Sequence, residues 1–191
     1  MKKRIAIFAS GSGTNAEEII KYFKNSSIAE VVLVLSNKPS AYVLERAGKH
    51  GIDRHVFDRI SLYETGEVAE LLEQHKIDFI VLAGFLWLFP DDLVKKYTGR
   101  IVNIHPALLP KYGGKGMYGM KVHEAVVQNN ERESGITIHF VNERYDEGQV
   151  IFQAKCRVDS SDSPVEVAKK VHELEYRHYP EVIEQCIKNL N

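Results

Sequence analysis

From residue 4 to residue 104 the chain repeats one unit: a short apolar run that stops at a polar turn, then a stretch with helical periodicity. The apolar runs cover residues 4–10, 30–35, 78–82 and 100–104, with a shorter one at 55–57. They are rich in Ile, Val, Leu and Phe and end in turn residues, which predicts strands. Between them, residues 15–23, 41–49, 67–75 and 91–97 place apolar side chains on one side, which predicts helices. Strands that are apolar on both faces, each followed by a helix, require crossover connections and covered faces. The expected fold class is therefore α/β, a doubly wound and mainly parallel sheet with a Rossmann-like N-terminal half.

The pattern changes after Ile104. Residues 111–119 contain four glycines, which predicts a mobile or tightly turned loop. A helix is expected over 121–128. Residues 135–141 and 149–157 alternate apolar and polar side chains, so they read as two antiparallel strands joined by a turn at 142–148. Pro164, preceded by Ser163 as a cap, opens a long final helix, which Pro180 is expected to bend or end. With 191 residues, one domain is expected over 1–191.

Composition excludes several function classes. The net charge is −1, with acids and bases mixed throughout, so the basic excess usual in nucleic-acid binding is missing. No apolar run approaches the roughly 18 to 20 residues that span a bilayer, so no membrane partner is expected. The basic start Met1-Lys2-Lys3-Arg4 resembles a signal peptide only briefly, because the apolar stretch stops at Ser10-Gly11. Cys156 and Cys186 are too few for a disulfide framework, and a cytoplasmic protein is expected. The eight histidines show no metal-binding spacing, so no metal is expected.

Four features carry chemistry. Gly11, Ser12, Gly13, Thr14 and Asn15 lie between a strand and a helix. Glycine lets backbone approach a ligand, and a helix start offers free N–H groups, so a phosphate fits; the alternative is a tight turn with a capped helix. Asn103 and His105 share one side of a strand end, a pairing suited to acid–base work with oxyanion stabilisation or to a structural histidine. Asp146 lies in the predicted hairpin turn and is either a turn former or a partner of His105. Glu175 projects near Ala168 and Val171 on the apolar side of its helix, where a carboxylate needs a partner. Phe85, Leu86, Trp87, Leu88 and Phe89 follow a strand end and are either core or a wall for a flat apolar ligand. His139 shares a face with Thr137 and either lines a site or packs on the sheet.

These segments, in this order and spacing, resemble the phosphoribosylglycinamide formyltransferases, the folate-dependent enzymes of purine synthesis. The resemblance covers essentially the full length. It runs through residues 11–15, Leu82-Ala83-Gly84-Phe85, Asn103-Ile104-His105-Pro106-Ala107-Leu108-Leu109-Pro110, residues 135–148, and Gln153-Ala154-Lys155. It implies transfer of the formyl group of 10-formyltetrahydrofolate, as co-substrate, to the amine of glycinamide ribonucleotide. Gly11, Ser12, Gly13, Thr14 and Asn15 would hold the ribonucleotide phosphate, and Glu175 its ribose and glycinamide portion. Asn103, His105 and Asp146 would be the catalytic trio. Phe85, Leu86, Trp87, Leu88, Phe89 and Val141 would flank the folate, with Asn103 and Asp146 at its reacting end. Residues 1–105 would form the phosphate half and 106–191 the folate-binding and catalytic half. The one assembly entertained is a homodimer.

The chain departs from many of these relatives after Lys111-Tyr112, where Gly113-Gly114-Lys115-Gly116-Met117-Tyr118-Gly119 makes a longer loop. The longer loop leaves Tyr118 and His123 without an assigned role, the resemblance would place Lys111 near the phosphate and folate entrance, and Arg59 matches a substrate-reaching arginine only where the local alignment slips. Three other readings account for less of the chain. A methionyl-tRNA formyltransferase would need a further domain and a basic surface. A formyltetrahydrofolate deformylase usually carries an additional N-terminal domain. A binding module using only residues 11–15 leaves Asn103, His105 and Asp146 unexplained.

Overall fold

The computed structural model describes residues 1–190. Its centre is a seven-stranded sheet built from β1 (Lys3–Phe8), β2 (Ala29–Ser36), β3 (Asp53–Val56), β4 (Phe79–Leu82), β5 (Ile101–His105), β6 (Glu133–Phe140) and β7 (Val150–Arg157). The spatial order is β3-β2-β1-β4-β5-β6-β7. The first five strands are parallel, and β5–β6 and β6–β7 pair antiparallel. The expected doubly wound sheet with an appended hairpin is thus the observed one. All four residues of β4 are buried, as are Ile5, Ala6, Ile7 and Phe8 of β1, which is what continuous apolar runs demand of central parallel strands.

Helices α1 (Thr14–Phe23), α2 (Tyr42–Lys49), α3 (Arg59–Tyr63), α4 (Glu67–Gln74), α5 (Asp91–Lys96), α6 (Met120–Gln128) and α7 (Pro164–Lys188) complete the fold. The apolar core divides into two clusters. One gathers Ile5, Ile7, Ile19, Phe23, Val102 and Ile138 with the inner face of α7, and the other gathers Phe8, Leu35, Phe57, Leu72 and Phe89. The short α3 was not expected. It is set by Asp58, whose carboxylate accepts from Ser61 N at 2.8 Å while Ser61 Oγ accepts from Asp58 N at 2.9 Å, a local capping box that offsets weak periodicity.

Of the two outcomes expected at Pro180, a bend or an end of α7, the structure overturns the end. Pro180 does not end the helix, which continues to Lys188. Proline removes one backbone donor and crowds the preceding turn. Here tertiary packing outweighs that cost, because Tyr179, Pro180, Val182 and Ile183 are all buried. The Tyr179 hydroxyl also ties this turn to the sheet, donating towards Leu82 O at 2.9 Å and Val102 O at 3.2 Å. At the other end Ser163 caps as expected: its Oγ accepts from Glu166 N, and Glu166 Oε2 accepts from Ser163 N at 2.7 Å.

In strand order the chain reverses direction between β1 and β4. In such a sheet the crevice at the carboxyl ends, beside the reversal, is where ligands bind. Ser10 stitches that edge together. Its N–H donates to Gly84 O at 3.0 Å, its Oγ bonds Asn37 Oδ1 at 2.7 Å, and it accepts from Leu86 N at 3.1 Å.

Candidate functional site

A cleft of about 640 Å³ opens at this carboxyl edge. Its walls are residues 10–15 after β1, 83–86 after β4, 103–106 at the end of β5 and 114–119 of the glycine-rich loop, with Lys38, His123, Tyr145, Asp146, His172 and Glu175. Gly11, Ser12, Gly13, Thr14, Asn15, Asn103, His105, Asp146 and Glu175, far apart in sequence, therefore share one cavity.

The turn at residues 11–15 is shaped by Gly13. Its φ of 73° is in the left-handed region, and an added Cβ would lie 2.3 Å from Val43 Cγ2. Glycine alone satisfies both constraints. Gly13 stands at the N-cap of α1 with no side chain capping the helix, so the capped-helix alternative does not hold. Residues of this turn and Lys38 line the same cleft, and neither Lys38 nor Lys115 of the glycine-rich loop forms an ion pair among the described residues. In a chain of net charge −1 this is a local positive end, suited to an anion.

Asn15 links this end to α7. Its Nδ2 donates to Glu175 Oε2 at 2.9 Å, and His172 Nδ1 bonds the same oxygen at 2.8 Å. Glu175 is 4% exposed, so the carboxylate on the apolar face of α7 has the partners its burial requires. The hydrogen bond from Glu175 raises the His172 pKa against the opposing effect of burial.

The other end is assembled by strand pairing. Register places Asn103 of β5 opposite His139 of β6. Asn103 Nδ2 lies 3.1 Å from His139 Nε2 and 3.4 Å from Asp146 Oδ1. His139 Nδ1 donates to Phe140 O at 2.8 Å, and its Nε2 faces both Asn103 Nδ2 and, at 3.7 Å, Asp146 Oδ1. His139 is thus buried behind the trio, holding Asn103. Asp146, in the turn between β6 and β7 with φ 55°, faces His105 Nδ1 at 3.4 Å through Oδ2. The same oxygen accepts from Gly114 N at 2.9 Å, and His105 Nε2 donates to Tyr112 O at 2.7 Å.

These contacts set the protonation states. Burial lowers the His105 pKa and outweighs the opposing pull of the Asp146 carboxylate. Burial also works against the Asp146 charge. Hydrogen bonding to His139, the His105 charge and the Gly114 N–H together outweigh it, so the net pKa lies below the usual 3.8. At neutral pH the pair is therefore a neutral imidazole beside a carboxylate, rather than the imidazolium that an isolated Asp–His pair would favour.

The aromatic run behaves unevenly. Phe85 and Leu86 line the cleft, whereas Trp87, Leu88, Phe89 and Val141 do not. Gly84, with φ 75°, turns the chain after β4, and Phe89 returns to the core with its ring 5.1 Å from Phe8. Trp87 stacks under the Arg59 guanidinium at 4.5 Å. Lys111 points away from the cleft and pairs with Glu131 at 2.8 Å. Sequence reasoning missed His172, although its spacing of three from Glu175 puts both on one helix face. It also missed Lys38, which carries no local signal, whereas Tyr145 lies within the 141–146 stretch that the resemblance places beside the folate. No cluster of metal-binding side chains occurs among the described residues. No helix among them is long and apolar enough to cross a membrane.

Comparison with known proteins agrees with this geometry. The family profile described as formyl transferase matches residues 3–183. The chain is 42% identical over 188 residues to the chloroplastic phosphoribosylglycinamide formyltransferase of Arabidopsis thaliana, covering 95% of this chain. The chain spans 64% of that plant relative's own length. It is 36% identical over 191 residues to the phosphoribosylglycinamide formyltransferase of Bacillus subtilis, covering 97% of this chain and 95% of the relative. The crystal structure of the Bacillus halodurans phosphoribosylglycinamide formyltransferase superposes with a TM-score of 0.87 at 38% identity, covering 98% of this chain and 96% of that one.

Proposed function

The chain belongs to the formyl transferase family, and from that premise we propose that it moves the formyl group of 10-formyltetrahydrofolate to the primary amine of glycinamide ribonucleotide. This is a step of purine synthesis, and a cytoplasmic setting is part of the same reading. The observation that carries it is one cleft holding an uncapped helix start at one end and the Asn103, His105 and Asp146 side chains at the other.

The residues fit both ligands. The first turn of α1, with Lys38 beside it, suits a phosphate. Glu175, held by Asn15 and His172, presents its carboxylate towards the hydroxyl and amide groups that follow the phosphate. Phe85 and Leu86 offer an apolar wall for a flat ring. The folate supplies the formyl carbon.

The reaction forms a bond between the substrate nitrogen and the formyl carbon and breaks the bond from that carbon to the folate nitrogen. Negative charge grows on the formyl oxygen as the amine attacks. Asn103 Nδ2 donates to that oxygen, and the neutral His105 donates through its N–H, exchanging its bond to the Tyr112 carbonyl for one to the oxyanion. Asp146, 3.4 Å from His105 Nδ1, takes up the proton that the attacking amine loses and returns it to the leaving nitrogen. Positioned groups of this kind contribute roughly 10²-fold or more each.

A spectrophotometric assay with a 10-formylfolate analogue tests the reading. Deformylation that requires glycinamide ribonucleotide is expected. Formate release without it would replace the transferase with a hydrolase, and no reaction with either substrate would leave only a binding protein.

A further inference from the structure

We propose that His123 is a substrate-binding residue of this cleft, bonding the polar middle of the ribonucleotide between its phosphate and its reacting amine. The inference rests on the formyl-transfer reading and deepens it.

His123 lies in the first turn of α6 and lines the cleft, yet it is 2% exposed. Its Nδ1 is cut off from solvent and has no hydrogen-bond partner. Buried polar atoms are nearly always paired, and leaving one unpaired is costly. Packing does not ask for a histidine here. The neighbouring inward residues of α6 are Val122 and Val126, and an apolar ring would fill the same space without an orphaned nitrogen. An atom left unpaired at the wall of a cleft is explained when a ligand supplies the partner.

A second orphan lies in the same wall. Asn15 Nδ2 is fixed on Glu175, and its Oδ1 is buried and unpaired. Asn15 Oδ1 is an acceptor and neutral His123 offers one donor and one acceptor, so the two together call for a ligand carrying both kinds of group. Hydroxyl and amide groups do so.

Position and charge agree. The His123 ring lies 6.3 Å from the ring of His172, the partner of Glu175, and the charged groups that act on it are His172 and Glu175 of α7 and His105 of β5. Burial, and then the nearby His172, hold its pKa at about 4 against the pull of Glu175. The ring is uncharged at neutral pH and neither repels a substrate amine nor competes with Lys38 for the phosphate.

The test is calorimetric binding of glycinamide ribonucleotide, with steady-state kinetics, for the wild type, His123→Phe and His123→Asn. In the asparagine variant the amide replaces the ring nitrogen near Nδ1. His123→Phe is expected to weaken ribonucleotide binding by roughly 10-fold to 100-fold, the loss of one or two bonds to a neutral group. The KM for the formylfolate and the saturated kcat should change by less than about 3-fold, and His123→Asn should recover most of the affinity. Equal weakening of ribose 5-phosphate binding would place the partner on the ribose, and weakening confined to the full ribonucleotide would place it on the amide. Wild-type affinity in His123→Phe overturns the proposal, as does an equal loss of folate affinity. Should His123→Phe fail to fold, His123→Leu is read by the same criteria, with loss of ribonucleotide affinity alone supporting the proposal and wild-type affinity overturning it. Failure of the wild type to bind the ribonucleotide overturns the formyl-transfer reading itself, an outcome distinct from any variant result.

Discussion

The two ends of the cleft are built by different means. The turn after β1 is local: a glycine with a left-handed backbone, a helix start left uncapped and a few small polar side chains within one pentapeptide. The strand end beyond β5 is made by distance. Asn103 meets His139 and Asp146 across 36 and 43 residues, through antiparallel pairing that the parallel half of the sheet does not use. The first end offers backbone dipoles and costs little to charge. The second buries titratable groups and keeps them in check by mutual contact. Binding an anion needs only the former, whereas stabilising charge that appears during reaction needs preorganised groups in a dry place.

The comparison predicts that the two ends can be damaged separately. His105→Ala should lower kcat by about 10³-fold or more while ribonucleotide affinity stays within a few-fold, read by turnover and calorimetry. A comparable loss of affinity would break the division of labour. Gly13→Ala should act in the opposite sense, on folding rather than chemistry. Its Cβ meets Val43 at 2.3 Å and the backbone is left-handed, so about 3 kcal/mol of stability should be lost in denaturant unfolding. Asn15→Leu should weaken ribonucleotide binding roughly 30-fold, because it removes the unpaired acceptor Oδ1 and releases Glu175, with saturated kcat little changed. A variant that lowered only folate affinity would reassign this end.

The smallest effect concerns acid. His123 has a folded pKa of about 4 against an ordinary 6.5, so the unfolded chain binds a proton that the folded one refuses between those values. Its contribution to stability is present above pH 6.5 and is lost as pH falls towards 4, about 2 kcal/mol by pH 4.5. His105, lowered in the same direction, adds to this loss, and Asp146 adds to it only below about pH 3.8. His123→Phe should flatten that part of the pH–stability curve, whereas substitutions in residues 11–15 should leave its shape alone. An unchanged curve in His123→Phe would show that the ring is not held neutral by the fold.

The same contrast explains what could be read from the chain alone. The sheet and most helices follow from apolar runs and periodicity, since burial on both faces imposes a pattern on every central strand. The turn at 11–15 was readable because its signal is contiguous. The proposed catalytic trio rests on resemblance: Asp146 looks like any turn aspartate until β6 and β7 are paired beside β5. Residues 85–89 read as one apolar unit, although only Phe85 and Leu86 of them line the cleft and Phe89 packs in the core. Pro180 misled because its cost is local and its compensation, the packing of Tyr179 and Ile183 against the sheet, is not. His123 carried no signal at all, since an unpaired nitrogen is a property of the folded state.

The central claim is that this cleft joins a phosphate end to a formyl-transferring end, and label transfer in a single turnover tests it most directly. With 10-formyltetrahydrofolate labelled in the formyl carbon and enzyme in excess, the label should appear on the glycinamide nitrogen of the ribonucleotide, in the wild type and not in His105→Ala. Label recovered as formate at the same rate with or without the ribonucleotide would contradict the account.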